Sequence, residues 1–198
     1  GTRPEIIKMA PLYNQWPGAQ TVFTGQHPDL VRPFIQKHGI SIDLQFLNVF
    51  ENGQTLVQLT SKLMAAADQI KVTKKSIWIV QGDTTTTYAI AYVAFLKNIP
   101  LVHIEAGLRT HEFYSPFPEE KNRELISRIA RFHFAPTVKN KRNLLSEGIA
   151  SENIHVVGNT VIDALLDSSL RIDSNDMNLA FSESLPFKLS QSKYILIT

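Results

Sequence analysis

The stretch Ser76–Leu125, SIWIVQGDTTTTYAIAYVAFLKNIPLVHIEAGLRTHEFYSPFPEEKNREL, decides how the rest of the chain is read. It opens with a short apolar run, Ile77-Trp78-Ile79-Val80, of the length of a strand buried on both faces. Gly82 and Asp83 then turn the chain, and Thr84–Thr87 lead into an apolar-periodic segment from Tyr88 to Leu96. A second buried strand, Leu101–Ile104, ends in Glu105. A loop runs to Pro118, and Glu119 and Glu120 open another helix. Asp83, Glu105 and Glu119 thus fall at the carboxyl ends of strands or at the helix entrances beside them. In an open α/β sheet that edge is where ligands bind.

Each carboxylate also has a structural reading. Asp83 suits an N-cap for the helix that follows. Glu119 stands behind Pro118 in a first helical turn, where the dipole favours an acid. Glu105 is four residues from Arg109 and suits an ion pair with it. Taken together, the three are harder to explain structurally. Acids gathered on one edge repel each other and push their proton affinities apart, which is the arrangement acid/base chemistry uses.

Working outward, strands alternate with helices. Pro4 suits a first helical position, with Ile6, Ile7, Met9, Ala10 and Leu12 forming a core face. A helix N-terminus beside Arg3 is a ready anion site, with Lys8 one turn on. Gln20–Thr24 is strand-like and closes on Gly25-Gln26-His27. A helix is expected over 28–38, with Pro33 inside it as a kink or its true start, and Gly39 ending it. Ile42–Leu47 alternates like a strand, Phe50–Gln54 is a loop, and 55–70 has helical periodicity. After the central stretch come a helix over 119–130, strand Phe132–Ala135, a helix over 137–146, strand Ile154–Val157 and a helix over 161–170. This alternation predicts an α/β fold, a parallel sheet with helices on both faces. Residues 1–170 form the expected domain. Residues 171–192, rich in Ser and Asp, are the expected linker, and 193–198 begin a second domain. The first helix has no strand before it, so the chain is expected to be cut at both ends.

Composition narrows the function. The 198 residues are 43 % hydrophobic and 19 % charged, an ordinary globular balance. With 20 basic against 18 acidic side chains the net charge is +2, which argues against nucleic acid or a membrane surface as partner. There is no cysteine, so no disulfide and no thiolate metal site. No apolar run approaches membrane-spanning length and no signal segment opens the chain, which reads as a cytoplasmic protein. His103 and Glu105 share one side of a strand, but no third ligand is evident, and no metal is expected. Neither a Gly-x-Gly-x-x-Gly nor a Walker A pattern is present, so no dinucleotide or nucleoside triphosphate site is signalled.

Seven segments together resemble the non-hydrolysing UDP-N-acetylglucosamine 2-epimerases. They are GTRPEIIKMAPL (1–12), TGQH (24–27), QGDTTTT (81–87), HIEAGLRT (103–110), YSPFPEEKNREL (114–125), FHFAPT (132–137) and VGNTVIDAL (157–165), in the family's order and spacing. The resemblance implies a Rossmann-like domain that is one half of a GT-B-like two-domain architecture, lacking that domain's first strand. It implies inversion at C2 between UDP-N-acetylglucosamine and UDP-N-acetylmannosamine, through elimination of UDP to a 2-acetamidoglucal and re-addition. No cofactor is implied, and a homodimer is. Asp83, Glu105 and Glu119 match the family's catalytic carboxylates, and Arg3 and Lys8 match positions that contact the UDP-sugar. Gln26, His27 and Gln54 match part of a second, activating site, although Gly53 stands where that site has an Arg. A catalytic histidine and most nucleotide contacts belong to the family's other domain.

Overall fold

In the computed structural model, which describes residues 2–16 and 18–171, helices and parallel strands alternate from α1 (Arg3–Gln15) onward. They continue with β1 (Val22–Phe23), α2 (Pro28–Lys37), β2 (Leu44–Gln45), α3 (Leu56–Asp68) and β3 (Trp78–Gln81). Then come α4 (Thr85–Leu96), β4 (Leu101–Ile104), α5 (Glu119–Ile129), β5 (Phe132–Ala135), α6 (Val138–Ser146), β6 (Ile154–Val156) and α7 (Thr160–Arg171). Chain contacts divide the molecule into Gly1–Thr160 and Val161–Thr198. Apart from Arg171, which closes α7, the expected linker and final strand lie outside the described residues.

Four strands pair in the order β3-β4-β5-β6, all parallel, with Val80, His103, His133 and Ile154 in register across them. Every residue of β4 is buried, His103 included, as a strand covered on both faces requires. α4 is apolar almost all round because it is covered on several sides: Ala89, Ala91 and Ala94 are fully buried between the clusters of α3 and α5. Helix entrances follow local chemistry. Thr55 accepts from the Gln58 amide at 3.2 Å while Gln58 accepts from the Thr55 amide at 2.9 Å, a reciprocal cap. Thr137 and Asn140 do the same for α6.

The amino-terminal strands are shorter than expected. Gln20–Thr24 contracts to Val22–Phe23 and Ile42–Leu47 to Leu44–Gln45. The reason is pairing: among the described residues β1 and β2 pair only with each other, and neither joins the larger sheet. The edges of β1 and β3 instead border an open cavity of about 550 Å³, lined by Val22, Phe23, Trp78, Val80 and, from α1, Ile6 and Met9. α2 begins at Pro28 and contains Pro33 without breaking there.

One glycine fixes how the loop after β4 meets α6. Gly107 has φ +84°, and a Cβ placed there would lie 2.4 Å from the Asn140 carbonyl oxygen. Its own carbonyl accepts from the Asn143 side chain at 2.9 Å and from that of Asn140 at 3.3 Å. Gly39 also has a left-handed φ, +62°, but open space around it. Gly39→Ala is therefore expected to cost about 1–2 kcal/mol from backbone strain alone. Gly107→Ala adds a backbone collision, so roughly 3 kcal/mol or more is expected, a fall in Tm of about 6–12 °C. Thermal unfolding of the two variants side by side checks the ranking, and equal losses would remove the collision from the account.

Candidate active site

The turn after β3 delivers the first carboxylate. Gly82, at φ +80°, reverses the backbone while its amide stays on the Ile104 carbonyl at 3.1 Å. Thr84, not Asp83, caps α4: its hydroxyl oxygen accepts from the Thr87 amide at 3.3 Å. That leaves the Asp83 carboxylate free for Arg123 of α5, whose Nε and Nη2 donate to its Oδ2 at 2.8 and 2.6 Å. Asn122 also donates to the Asp83 carbonyl at 2.8 Å. Arg123 Nη1 in turn donates to Glu120 at 2.9 Å, and Glu120 is fully buried. The other oxygen of Glu120 accepts from the Thr110 and His111 amides at 2.9 and 3.0 Å.

These surroundings separate the two acids. Burial raises the Asp83 pKa above its usual 3.8, against the pull of Arg123, and the charges of Glu119 and Glu105 push the same way as burial. Asp83 therefore lies within reach of both of the other carboxylates. Burial pushes Glu120 upward too, but the His111 amide, Arg123 and the Thr110 amide together hold it below its ordinary 4.5.

Glu105 ends β4 with φ +66°, a left-handed conformation that a side chain adopts only when its surroundings impose it. Its oxygens accept from Lys8 Nζ at 2.8 and 2.7 Å, from Asn159 at 3.2 Å and from the side chain of Gln81. Three segments far apart in sequence thus converge on one carboxylate. The pairing with Arg109 suggested by sequence is not formed. Arg109 is buried, donates to Glu147 at 2.6 and 2.8 Å and to the Ser127 hydroxyl at 2.9 Å, and so ties α5 to α6.

Glu119 is the first residue of α5, half-buried, behind the cis peptides Ser115–Pro116 and Phe117–Pro118. Among the described residues its carboxylate has no ion pair or hydrogen bond. Arg3 opens α1, exposed. His27 caps α2 at φ +46° and is exposed, with Gln26 half-buried beside it. Gln54 uses its side-chain carbonyl on its own turn, accepting from the Glu51 amide at 3.2 Å. His103 is fully buried, its Nε2 is 2.8 Å from the Gly82 carbonyl, and burial lowers its pKa to about 4. Its Nε2 is thus engaged by the turn after β3. Among the described residues no group of three or more His, Asp or Glu is placed to hold a metal.

Sequence reasoning missed Arg123, Glu120, Gln81 and Asn159. Arg123 was within reach of a spacing argument. It lies three and four residues beyond Glu120 and Glu119, where helical side chains meet.

A parallel sheet with carboxylates gathered at its carboxyl edge, two of them paired with cations, defines a polar ligand site of the α/β type. The model of the UDP-N-acetylglucosamine 2-epimerase family matches residues 14–198, and the chain belongs to that family. It is 41 % identical over 204 residues to the UDP-N-acetylglucosamine 2-epimerase of Neisseria meningitidis serogroup A, covering 100 % of this chain and 55 % of that protein. The Salmonella typhimurium enzyme is also 41 % identical, over 205 residues, with 100 % of this chain and 54 % of that protein covered. Among solved structures, the Neisseria meningitidis epimerase bound to UDP-GlcNAc superposes with TM-score 0.83 at 41 % identity, covering 91 % of this chain and 52 % of that one. The Methanocaldococcus jannaschii epimerase in complex with UDP-GlcNAc and UDP gives 0.83 at 35 % identity, covering 93 % and 52 %. The chain spans about half the length of the relatives it matches, one half of a GT-B-like architecture.

Glu120 gives a pH-dependent prediction. Its folded pKa lies below the usual 4.5, so its contribution is complete above about that pH and is lost as pH falls through the folded value. Glu120→Gln strips Arg123 of a buried partner and is expected to cost about 3 kcal/mol or more at neutral pH. The gap from wild type should narrow as pH drops below 4.5. Denaturant unfolding of both proteins from pH 7 to pH 3 measures it, and a gap independent of pH contradicts the assignment.

Proposed function

We propose that the protein containing this chain interconverts UDP-N-acetylglucosamine and UDP-N-acetylmannosamine by inverting C2 of the sugar. The observation that carries the reading is the meeting of Asp83, Glu105 and Glu119 at one sheet edge in a chain of this family. A base takes the C2 proton, the C1–O bond breaks, and UDP leaves with the bonding electrons to give a 2-acetamidoglucal. UDP then adds back to C1 as a proton is delivered to the opposite face of C2. The reaction is redox-neutral.

Inversion needs two proton carriers on opposite faces, held against a weakly acidic carbon. Asp83 is the candidate for one, because burial and its two neighbouring carboxylates favour its protonated form. Glu119, without an ion pair among the described residues, is the candidate for the other. Glu105 is saturated by Lys8, Gln81 and Asn159, so a proton reaching it must displace a donor. That suits it to stabilising positive charge developing at C1. In this reading Arg3 faces the diphosphate, while Lys8 acts first on Glu105 and reaches the substrate only by letting go of it. Gln26, His27 and Gln54 belong to a second, activating UDP-sugar site. The other half of the protein supplies the remaining nucleotide contacts, and the working enzyme is a cytoplasmic homodimer.

In the full-length protein, Asp83→Asn, Glu105→Gln and Glu119→Gln are each expected to lower kcat by roughly a hundredfold or more. A role confined to capping or ion pairing predicts lower Tm with near-normal turnover, so both are measured on the same samples. Incubation with UDP-GlcNAc in D₂O, followed by proton NMR, should show loss of the C2 proton signal as the manno epimer appears. Epimerisation that retains the C2 proton would sink the elimination pathway. The 198-residue chain alone is expected to be inactive. It spans about half the length of the relatives it matches, and the positioning and charge stabilisation expected from the rest are together worth many kcal/mol.

A further inference from the structure

We propose that Glu5 is a positioning residue, fastening the first turn of α1 to the first turn of α4 and so setting Arg3 and Lys8 against Asp83 and Glu105. The idea deepens the epimerase reading and rests on it for its effect on turnover, though not for the contact itself.

The contact has two sides. Glu5 Oε2 accepts from the Thr2 amide, an ordinary use of a carboxylate in the first turn of its own helix. Glu5 Oε1 does something a cap does not require. It accepts from the Thr84 hydroxyl at 2.7 Å, across 79 residues of chain, and lies 3.1 Å from the Thr87 hydroxyl. Thr84 is itself the cap of α4 and the residue after Asp83. Its hydroxyl thus donates to Glu5 while accepting from the Thr87 amide at 3.3 Å. One carboxylate therefore closes two helix N-termini against each other, where both dipoles favour a negative charge.

The rest of α1 makes this contact consequential. Ala10 is the helix's one buried residue, so apolar packing holds α1 weakly. The helix lines the open cavity beside β1 and β3 along its length, from Glu5 and Ile6 to Tyr13. Glu5 and Lys8 are three residues apart and share a helix face. Lys8 bonds Glu105 at 2.7 and 2.8 Å, so α1 meets the carboxylate edge at two polar points one turn apart. Lys8 can move with a ligand. Glu5 has no such task and serves as the fixed point.

The test uses the full-length protein with Glu5→Leu, Thr84→Val, the double variant and Thr84→Ser. Amide hydrogen exchange is read at Ile6, bonded to the Thr2 carbonyl at 3.2 Å, and at Tyr88, bonded to the Thr84 carbonyl at 3.0 Å. Glu5→Leu should speed exchange at Tyr88, and Thr84→Val should speed it at Ile6, each acting on the other helix. With UDP-GlcNAc, each single variant should lose roughly tenfold or more in kcat, as displaced catalytic groups do, with a smaller change in KM. The double variant should be no worse than the poorer single one, and Thr84→Ser should stay near wild type. A purely local cap predicts exchange changes confined to the mutated helix, and losses that multiply. Either result overturns the proposal, as does normal kcat in Glu5→Leu. Should Glu5→Leu fail to fold, Thr84→Val still decides at Ile6. If wild type itself does not epimerise UDP-GlcNAc, the epimerase reading fails while the exchange measurements still decide the link.

Discussion

Arg123 is the interaction on which the site depends. It holds two carboxylates of different kinds with one planar group: Asp83 at the edge and Glu120 in the interior. A fully buried carboxylate is tolerable only when its lone pairs are filled, and Glu120 meets that condition with Arg123 and two backbone amides. Those amides belong to Thr110 and His111, so the same arrangement fixes the loop that leads into α5. A lysine offers a point charge and could not address both acids with a rigid fork. The loop, the helix and the edge carboxylate are thereby one mechanical unit, and Arg109 fastens its outer side to α6 through Ser127 and Glu147.

A second cation completes the balance. Asp83 and Glu105 would destabilise each other on a shared edge, and Glu119 adds a third charge. Arg123 offsets the first and Lys8 the second. The pairs are not equivalent. Arg123 is anchored on two acids and half-buried, whereas Lys8 has one partner among the described residues and a flexible stem. Of the two pairs, Lys8 with Glu105 is the one a competing group could open more readily.

The order of strands and helices was legible in the chain because buried parallel strands leave unbroken apolar runs and helices leave a 3.6-residue period. β3, β4 and β5 fall within a residue or so of where the sequence puts them. β1 and β2 were overdrawn, because their length depends on whether a neighbour completes the ladder, which no local pattern reports. The three edge carboxylates were legible from their position after strands. Their partners were not. Glu105 looks toward Arg109 in sequence, yet the left-handed turn at Glu105 aims it at Lys8, almost a hundred residues earlier. Asp83 looks like a cap, yet a threonine beside it takes that role and releases it. Adjacent candidates for one capping position are resolved by what else each can reach, and that is tertiary information.

The two sides of the edge are held by different physics. Asp83 and Glu119 stand at the entrances of α4 and α5, whose residues Ala89, Ala91, Ala94 and Ile126 are fully buried. Moving either helix would open voids in a close-packed interior, which is costly. Arg3 and Lys8 stand on α1, which buries only Ala10 and is fixed to the edge by charge and hydrogen bonds. A polar contact is worth little net where water can replace it and much where a buried partner would be left unpaired, whereas a lost packing contact is always felt. The geometry thus sets Asp83 and Glu119 on close-packed helices and Lys8 on a helix held by polar contacts, those of Glu5 among them. For a reaction in which a charged group must leave one carbon and return to it while protons move on and off the next, that division is useful. Under the proposed reaction, such a division would keep the proton carriers in register with each other while the departing anion moves.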